Sequence, residues 1–271
     1  MRITKELAKT YEKNSWARFI VAIPVVGSAI HEYLMAEAKE ESVTPFKNFW
    51  GFKSEQIYIV CSQLDSSEGR QKPEPGEFLY LGKYGDIDSL FEVLTSLSKL
   101  FPRLNIKFCT DEEFDNLPGN PYANNLILIG GPDYNKIVKV FLSYTPFEFI
   151  EQNEETLLRN KVSNQLFQSK FNNHDGIEEV TDYGFFLKMP NPNNKRNKLI
   201  ILNGIHTYGV YGATKCFLSQ DENETNISIE NCEEVISKVG TEPNFAVVLK
   251  VRSINKKIGI PKINENDIIP L

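Results

Sequence analysis

The chain has 271 residues, of which 41% are hydrophobic and 24% are charged, a balance typical of a soluble globular protein. This length suits one large α/β domain, or one domain with an appendage. The formal net charge of −6 argues against nucleic acid as the main partner, because nucleic-acid binders usually present a basic face.

The four cysteines, at positions 61, 109, 216 and 232, form no CxxC pair and have no histidine at metal-ligand spacing. Cys61 and Cys109 each end a strand-like run. This pattern favours buried free thiols in a reducing compartment over a zinc site. We therefore expect a cytoplasmic protein without a metal centre.

Residues 1–48 are predicted to form a helical segment that precedes the main domain. Its apolar run over 19–30 is interrupted by Pro24 and Gly27, which favours two helices joined by a kink. The run is too short to span a bilayer, since a membrane helix needs about 20 apolar residues. Three alternatives stay open: a helical element packed on the domain or on another subunit of a homo-oligomer, peripheral membrane contact through 16–36, and a secretory signal.

Residues 52–271 have the pattern of a Rossmann-like α/β domain. Apolar runs rich in β-branched residues predict strands, and apolar positions at helical spacing predict helices. In chain order, the predicted strands cover 56–64, 103–110, 125–131, 146–151, 182–192, 197–205 and 245–254, and the predicted helices cover 86–101, 132–144 and 208–220. Strands that alternate with helices imply a mostly parallel sheet covered by helices on both faces.

Two stretches depart from this alternation. Residues 152–180 are polar and rich in Asn and Gln, which predicts a loop, and 258–271 are predicted to be a coil tail. The scarcity of helical patterns between 145 and 205 indicates some antiparallel strands at one edge of the sheet.

Two predicted strands, 125–131 and 197–205, end on glycines that lead into helices, and a further apolar run over 78–86 ends at Gly85 and Asp86 before the first helix. In open α/β sheets, ligands bind beyond the carboxyl ends of the strands, and glycine lets backbone N–H groups approach an anion at a helix N-terminus. We expect these ends to line one crevice, here called the strand-end crevice. The candidate ligand-binding residues are Gly85, Asp86, Gly130, Gly131, Pro132, Asn135, Asp182, Gly204, His206, Thr207, Gly209 and Gly212.

Each glycine motif is weak by itself. "GGP" is not GxGxxG, and a Walker lysine pattern is absent from the sequence. The alternative is that these glycines only allow tight turns and close packing of strands against helices. His206 follows a buried strand and could act as an acid or base near neutral pH, or hydrogen-bond the backbone at a helix start. Asp182 could hold a ribose hydroxyl or form part of a turn.

Four segments together have a familiar pattern: "YGDIDSL", "NLILIGGPDYN", "DYGFFLKMPNPNN" and "LIILNGIHTYGVYGA". This succession resembles an uncharacterised prokaryotic Rossmann-like domain that follows varied N-terminal regions, over about residues 55–255. The chain is more distantly similar to nucleoside deoxyribosyltransferase-like and TIR-like domains, which handle nucleosides or NAD. The catalytic carboxylates of those domains do not map cleanly onto this sequence.

Three functional hypotheses follow. The first is a recognition domain for a nucleotide-like or other anionic small molecule, with the N-terminal helices as a signalling output or assembly element. The second is a hydrolase or transferase that acts on the glycosidic bond of a nucleoside or NAD, which requires a carboxylate with a raised pKa in the crevice. The third is a protein-interaction module without a small ligand, whose glycines are architectural.

Overall fold

The computed structural model describes residues 44–52, 56–63, 86–218, 225–240 and 244–271. The strands are β1 Gln56–Cys61, β2 Asn105–Thr110, β3 Asn125–Ile129, β4 Phe147–Gln152, β5 Glu155–Asn160, β6 Leu166–Phe167, β7 Lys170–His174, β8 Ile177–Asn191, β9 Asn194–Gly204, β10 Phe245–Ile254, β11 Lys257–Ile258 and β12 Ile268–Pro270. The helices are α1 (44–50), α2 Ile87–Leu100, α3 Asp111–Asp115, α4 Lys136–Phe141, α5 Thr207–Leu218 and α6 Thr225–Val239. Short 3-10 turns cover Pro121–Ala123, Leu142–Tyr144 and Glu265–Asp267.

A parallel core forms the middle of the main sheet. β1 pairs in parallel with β2 on one side and with β3 on the other, and β3 pairs in parallel with β9. All five residues of β3 are buried, as expected for a strand covered on both faces. The predicted side-by-side, parallel arrangement of the runs at 56–61, 104–109, 125–129 and 198–203 is confirmed.

The sheet as a whole is mixed, which corrects the expectation of a mostly parallel Rossmann layer. β8 lies antiparallel to both β9 and β10, and β7, β11 and β12 add further antiparallel pairs. The sheet order is β11-β10-β8-β9-β3-β1-β2, and the sheet curls strongly into a half-barrel. Antiparallel strands at one edge, expected from the helix-poor region, are present.

Each face of the sheet is covered by its own hydrophobic core. One core is formed with α1, α2, α5 and α6, and it contains an aromatic cluster in which Phe49 stacks on Phe217 with ring centroids 4.7 Å apart. The other core is formed with α3, α4 and part of a second, three-stranded antiparallel sheet, β4-β5-β6. Coverage of the main sheet on both faces therefore agrees with the expected layering.

Two sequence-based expectations about irregular regions are wrong. The stretch 152–180, predicted to be a loop, contributes to β4, β5, β6, β7 and β8. The tail over 258–271, predicted to be coil, ends in β12, which pairs with β10. Polar residues form strands in the first case because the whole of β7 is exposed and needs no apolar face.

The N-terminal segment 1–43 lies outside the described residues, so the alternatives for it, membrane contact through 16–36 included, stay predictions. In the part of the chain that the structure describes, none of the helices combines the length and apolar character needed to cross a membrane.

Candidate functional site

A serine and a buried carboxylate meet at the carboxyl end of the parallel core. Ser62 directly follows β1, and Asp86 immediately precedes α2. The Ser62 hydroxyl donates a hydrogen bond of 2.6 Å to Asp86 Oδ2. Ser62 is 1% exposed and Asp86 is 8% exposed, so the pair is almost removed from bulk water but not sealed.

Gly130 brings the backbone of β3 against this pair. Its φ of +102° lies in a region that side chains rarely adopt, and a Cβ there would lie 2.6 Å from Asp86 Oδ2 and 2.8 Å from Ser62 Cβ. Only glycine satisfies both conditions. The abrupt end of the apolar strand on glycine therefore lets the backbone approach the Ser62–Asp86 pair.

Burial dominates the electrostatics of Asp86. Desolvation raises the pKa of its carboxyl above the ordinary value of 3.8, the hydrogen bond from Ser62 opposes that rise, and the charge of Asp88 adds to it. Among the described residues, Ser62 is the one hydrogen-bond donor to this carboxylate. A nearly buried carboxylate with a single donor retains lone pairs that a ligand could satisfy.

The neighbouring Cys61 thiol is not an activated nucleophile. Burial and then the charge of Asp86 raise its pKa to about 12, so the thiol stays protonated at neutral pH. Cys216 and Cys232 are also buried free thiols, and burial raises the pKa of each. Over the described ranges, His, Cys, Asp and Glu side chains form no group of three or more that could hold a metal ion.

Gly131 faces a second polar group, on β9. Among the described residues, a Cβ at Gly131 would meet Asn203 Oδ1 and the carbonyl oxygen of Gly204, both at 3.9 Å, and nothing closer. Asn203 is fully buried, and its Oδ1 accepts a hydrogen bond from the Gly204 N–H at 2.6 Å. Its Nδ2 donor has no partner within the described structure, which is costly for a buried amide.

The glycine-rich start of α5 already holds an anion, and that anion is Asp182. Its Oδ2 accepts hydrogen bonds from the backbone N–H groups of His206 at 3.2 Å and Gly209 at 2.6 Å. Its Oδ1 accepts from the Ser169 hydroxyl at 2.5 Å and from the Tyr183 N–H at 2.8 Å. The place where a ligand phosphate was expected is therefore occupied by a carboxylate of the protein.

The glycines around α5 are sites of close packing. A Cβ at Gly204 would lie 2.5 Å from the Val210 nitrogen, and a Cβ at Gly209 would lie 2.6 Å from the Tyr183 carbonyl oxygen. A Cβ at Gly212 would overlap the side chain of Val251. These three positions fit the architectural alternative, in which glycine only allows a helix to pack closely on strands.

His206 and Thr207 are exposed at the start of α5. The His206 ring makes an edge contact with Phe171 of β7, with ring centroids 5.1 Å apart. The Asp182 carboxylate is bound to the His206 backbone N–H, not to its ring. The arrangement is that of a helix cap and does not match a serine–histidine–aspartate triad, in which the carboxylate orients the imidazole.

The side-chain amide of Asn135 hydrogen-bonds the backbone of two strands and one helix. Its Nδ2 donates to the carbonyl oxygens of Val60 and Ile129, and its Oδ1 accepts from the N–H groups of Ile137 and Val138. Every hydrogen-bonding position of the amide is used inside the protein. Asn135 thereby joins the ends of β1 and β3 to the N-terminus of α4.

The predicted site residues thus separate into groups. Asp86 and Gly130 come together, and Gly131 faces Asn203 next to them, whereas Asp182 accepts hydrogen bonds from the start of α5. Pro132 is half-buried at the loop before α4, and Gly85 lies outside the described residues. Sequence reasoning missed Ser62 and Asn203, although each is a polar residue at the end of a buried strand, a usable signal.

Comparisons with known proteins add no assignment. The chain matches no known family model, and no curated protein matches it.

Proposed function

We propose that the protein binds a small nucleoside-like molecule at the carboxyl ends of β1 and β3, with Asp86 accepting hydrogen bonds from it. The single observation that carries this proposal is the buried Asp86 carboxylate beside Gly130, which accepts one hydrogen bond from the residues that the structure describes. It lies beyond the carboxyl ends of β1 and β3, where ligands of open α/β sheets bind.

The contrast with Asp182 supports this choice. Asp182 accepts four hydrogen bonds from its surroundings, while Asp86 accepts one among the described residues. Burial of a carboxylate without donors is unfavourable. Ribose hydroxyls or base N–H groups would supply the missing donors to Asp86.

Charge favours a hydroxyl- or amine-bearing group over a phosphate at this position. A phosphate next to Asp86 would be repelled by the carboxylate, and the N-terminus of α5 is already neutralised by Asp182. The nucleoside part of a nucleotide-like ligand is therefore the part we assign to Asp86.

Calorimetry on matched variants tests this assignment. Nucleosides, NAD and cyclic dinucleotides are titrated into the wild type, Asp86→Asn and Ser62→Ala, with Asp115→Asn as a control carboxylate at an exposed site. The proposal predicts that Asp86→Asn weakens binding about tenfold or more, since hydrogen bonds to a charged group contribute about 1.5–3 kcal/mol. Asp115→Asn should bind as the wild type does. If Asp86→Asn and Asp115→Asn bind the ligand with equal affinity, Asp86 is not part of the binding site.

A second candidate function is cleavage of a nucleoside or NAD glycosidic bond. The burial of Asp86 favours it, because desolvation raises the pKa of the carboxyl, and a raised pKa makes a carboxyl better suited to donate a proton to the departing base of a nucleoside. In this reaction the bond between C1′ and the base nitrogen breaks, its electron pair leaves with the base, and water adds at C1′.

Chromatographic detection of the free base separates the two candidates. Incubation of the wild type with nucleosides or NAD should release base if the protein is an enzyme, and Asp86→Asn should not release it. If every ligand that calorimetry identifies binds without release of its base, glycosidic-bond cleavage is excluded for those ligands and ligand recognition is the remaining function.

A further inference from the structure

The outer edge of β10 is interrupted in its middle. β12 pairs with Phe245, Ala246 and Val247 at one end, and β11 pairs with Ser253 and Ile254 at the other. Within the described ranges, residues 248–252 have no strand partner on that edge. Their other edge is fully paired with β8.

The chain that joins β11 to β12 leaves the sheet here. Val247 and Ser253 are six residues apart on β10, whereas their partners, Ile268 and Ile258, are ten residues apart in the chain. The opposing chain therefore has four more residues than a continuous strand would need. Asn231 of α6 holds this excursion on the helical face: its Nδ2 donates to the Pro261 carbonyl oxygen at 2.9 Å, and its Oδ1 accepts from the Ile263 N–H at 3.1 Å.

The main-chain groups of Val248 and Lys250 point outward at this gap. The Asn244 carbonyl accepts from the Leu271 N–H and the Arg252 carbonyl accepts from the Gly259 N–H, so even-numbered positions of this strand face the outer edge. Within the described residues, no hydrogen bond to another segment is recorded on that edge for Val248 or Lys250. Unpaired strand edges of this kind are templates for an added strand.

A groove of about 270 Å³ opens along the gap. Its walls include Phe167, Tyr183, Lys250, Lys262, Asn264 and Asp267. The Phe167 and Tyr183 rings lie side by side, with centroids 5.2 Å apart. The groove therefore combines an aromatic wall for an apolar side chain with free main-chain groups.

Basic residues predominate along the edge strand and the chain that follows it, although Asp267 is one of the groove walls. Five basic residues and no acidic residue lie between 248 and 264, in a protein whose net charge is −6: Lys250, Arg252, Lys256, Lys257 and Lys262. Lys262 pairs with Glu230 at 2.8 Å, but neither Lys250 nor Arg252, both exposed, forms an ion pair among the described residues. A partner that carries acidic side chains complements this edge.

From these observations we infer that the open edge of β10 binds an extended acidic peptide, which adds a short strand opposite Val248 and Lys250. The main-chain groups supply two rungs of hydrogen bonds, and the basic side chains select acidic residues. An apolar residue of the peptide contacts Phe167 and Tyr183. Nucleic acid is the less suitable occupant, because it offers no strand-like row of amide groups.

The test uses a fluorescein-labelled peptide of alternating Glu and Val, with a second copy N-methylated at every residue. Fluorescence polarisation with the full chain should show binding of the first peptide and about tenfold weaker binding of the N-methylated copy, which cannot donate main-chain hydrogen bonds. Equal binding of the two peptides, or binding of neither, overturns the inference. Displacement of the first peptide by a short single-stranded oligonucleotide, but not by its own unlabelled form, overturns it as well.

Two variants place the contact on the protein. Lys250→Gln removes the charge but keeps the outward N–H, and Lys250→Pro removes both, at a position where the N–H is not needed by β8. The peptide should bind Lys250→Gln more weakly than the wild type, and Lys250→Pro more weakly still. If both variants bind the peptide as the wild type does, the edge of β10 is not the binding site. If Lys250→Pro does not fold, the comparison of the unmodified and N-methylated peptides still tests the inference.

Discussion

Asp182 accepts a hydrogen bond of 2.6 Å from the backbone N–H of Gly209, so the N-terminus of α5 is capped by a carboxylate from a neighbouring strand. The sequence pattern of this glycine-rich helix start predicts an anion-binding site. In the structure its backbone N–H groups donate to a carboxylate of the protein itself. Among the described residues, the Asp86 carboxylate beside the end of β1 accepts only the hydrogen bond from Ser62.

Removal of the Asp182 carboxylate should destabilise the fold strongly. Asp182→Ala leaves one hydroxyl and two backbone N–H groups without their acceptor, while the Gly209 N–H keeps the His206 carbonyl oxygen. We expect this change to lower the free energy of unfolding by about 3 kcal/mol or more. Ser169→Ala removes a single donor and should cost about 1 kcal/mol. Urea denaturation of both variants gives these values, and similar losses would contradict the capping role.

Substitution by alanine should destabilise the protein at one of the two adjacent glycines that follow β3 and not at the other. Gly130→Ala imposes an unfavourable φ and a clash with Asp86, so it should cost about 2 kcal/mol or more. In Gly131→Ala the new methyl meets none of the described atoms closer than 3.9 Å, so stability should change by less than about 0.5 kcal/mol. Gly131→Val should also fold while losing ligand binding. Equal costs for the two alanine variants, measured by urea denaturation, would show that this geometry is wrong.

The stability of the protein should depend on pH through Asp86 with a defined sign. Burial raises the folded-state pKa above 3.8, so the folded protein keeps a proton that the unfolded chain has released. The wild type therefore loses stability as pH rises from about 3.8 through the raised folded-state pKa of Asp86. Asp86→Asn, which carries no titratable carboxyl, should not show this loss.

Asp115→Asn is the matched control for this pH dependence. The hydrogen bond from Tyr122 lowers the pKa of Asp115, so its contribution is present above the unfolded pKa and is lost as pH falls. Thermal melts of the three proteins across acidic and neutral pH should show opposite trends for the two variants relative to the wild type. The same trend in both would contradict the assignment for Asp86.

A double-mutant cycle tests the packing role of Gly212. Gly212→Ala should destabilise by about 1–3 kcal/mol, because the new methyl overlaps Val251. Val251→Ala creates space beside it, so the double variant should be more stable than the sum of the single losses predicts. Strict additivity would mean that the two positions do not contact.

The sequence predicts the parallel core well and the surroundings of the site poorly, for physical reasons. The run at 125–129 is apolar without interruption, which identifies a strand buried on both faces. The exposed β7 has no apolar face to detect. Glycine allows both close packing and ligand approach, so Gly130 and Gly209 look alike in sequence. The contact that distinguishes them, from Asp182, comes from 27 positions away.

The most direct test of the central claim is a thermal-shift screen of the wild type and Asp86→Asn against nucleosides, NAD and cyclic dinucleotides. A ligand present at 100 times its dissociation constant should stabilise the wild type by about 2.7 kcal/mol. The account predicts that at least one nucleoside-containing ligand produces this stabilisation in the wild type and much less in Asp86→Asn. Equal stabilisation of both proteins, or no stabilisation by any of these ligands, would contradict it.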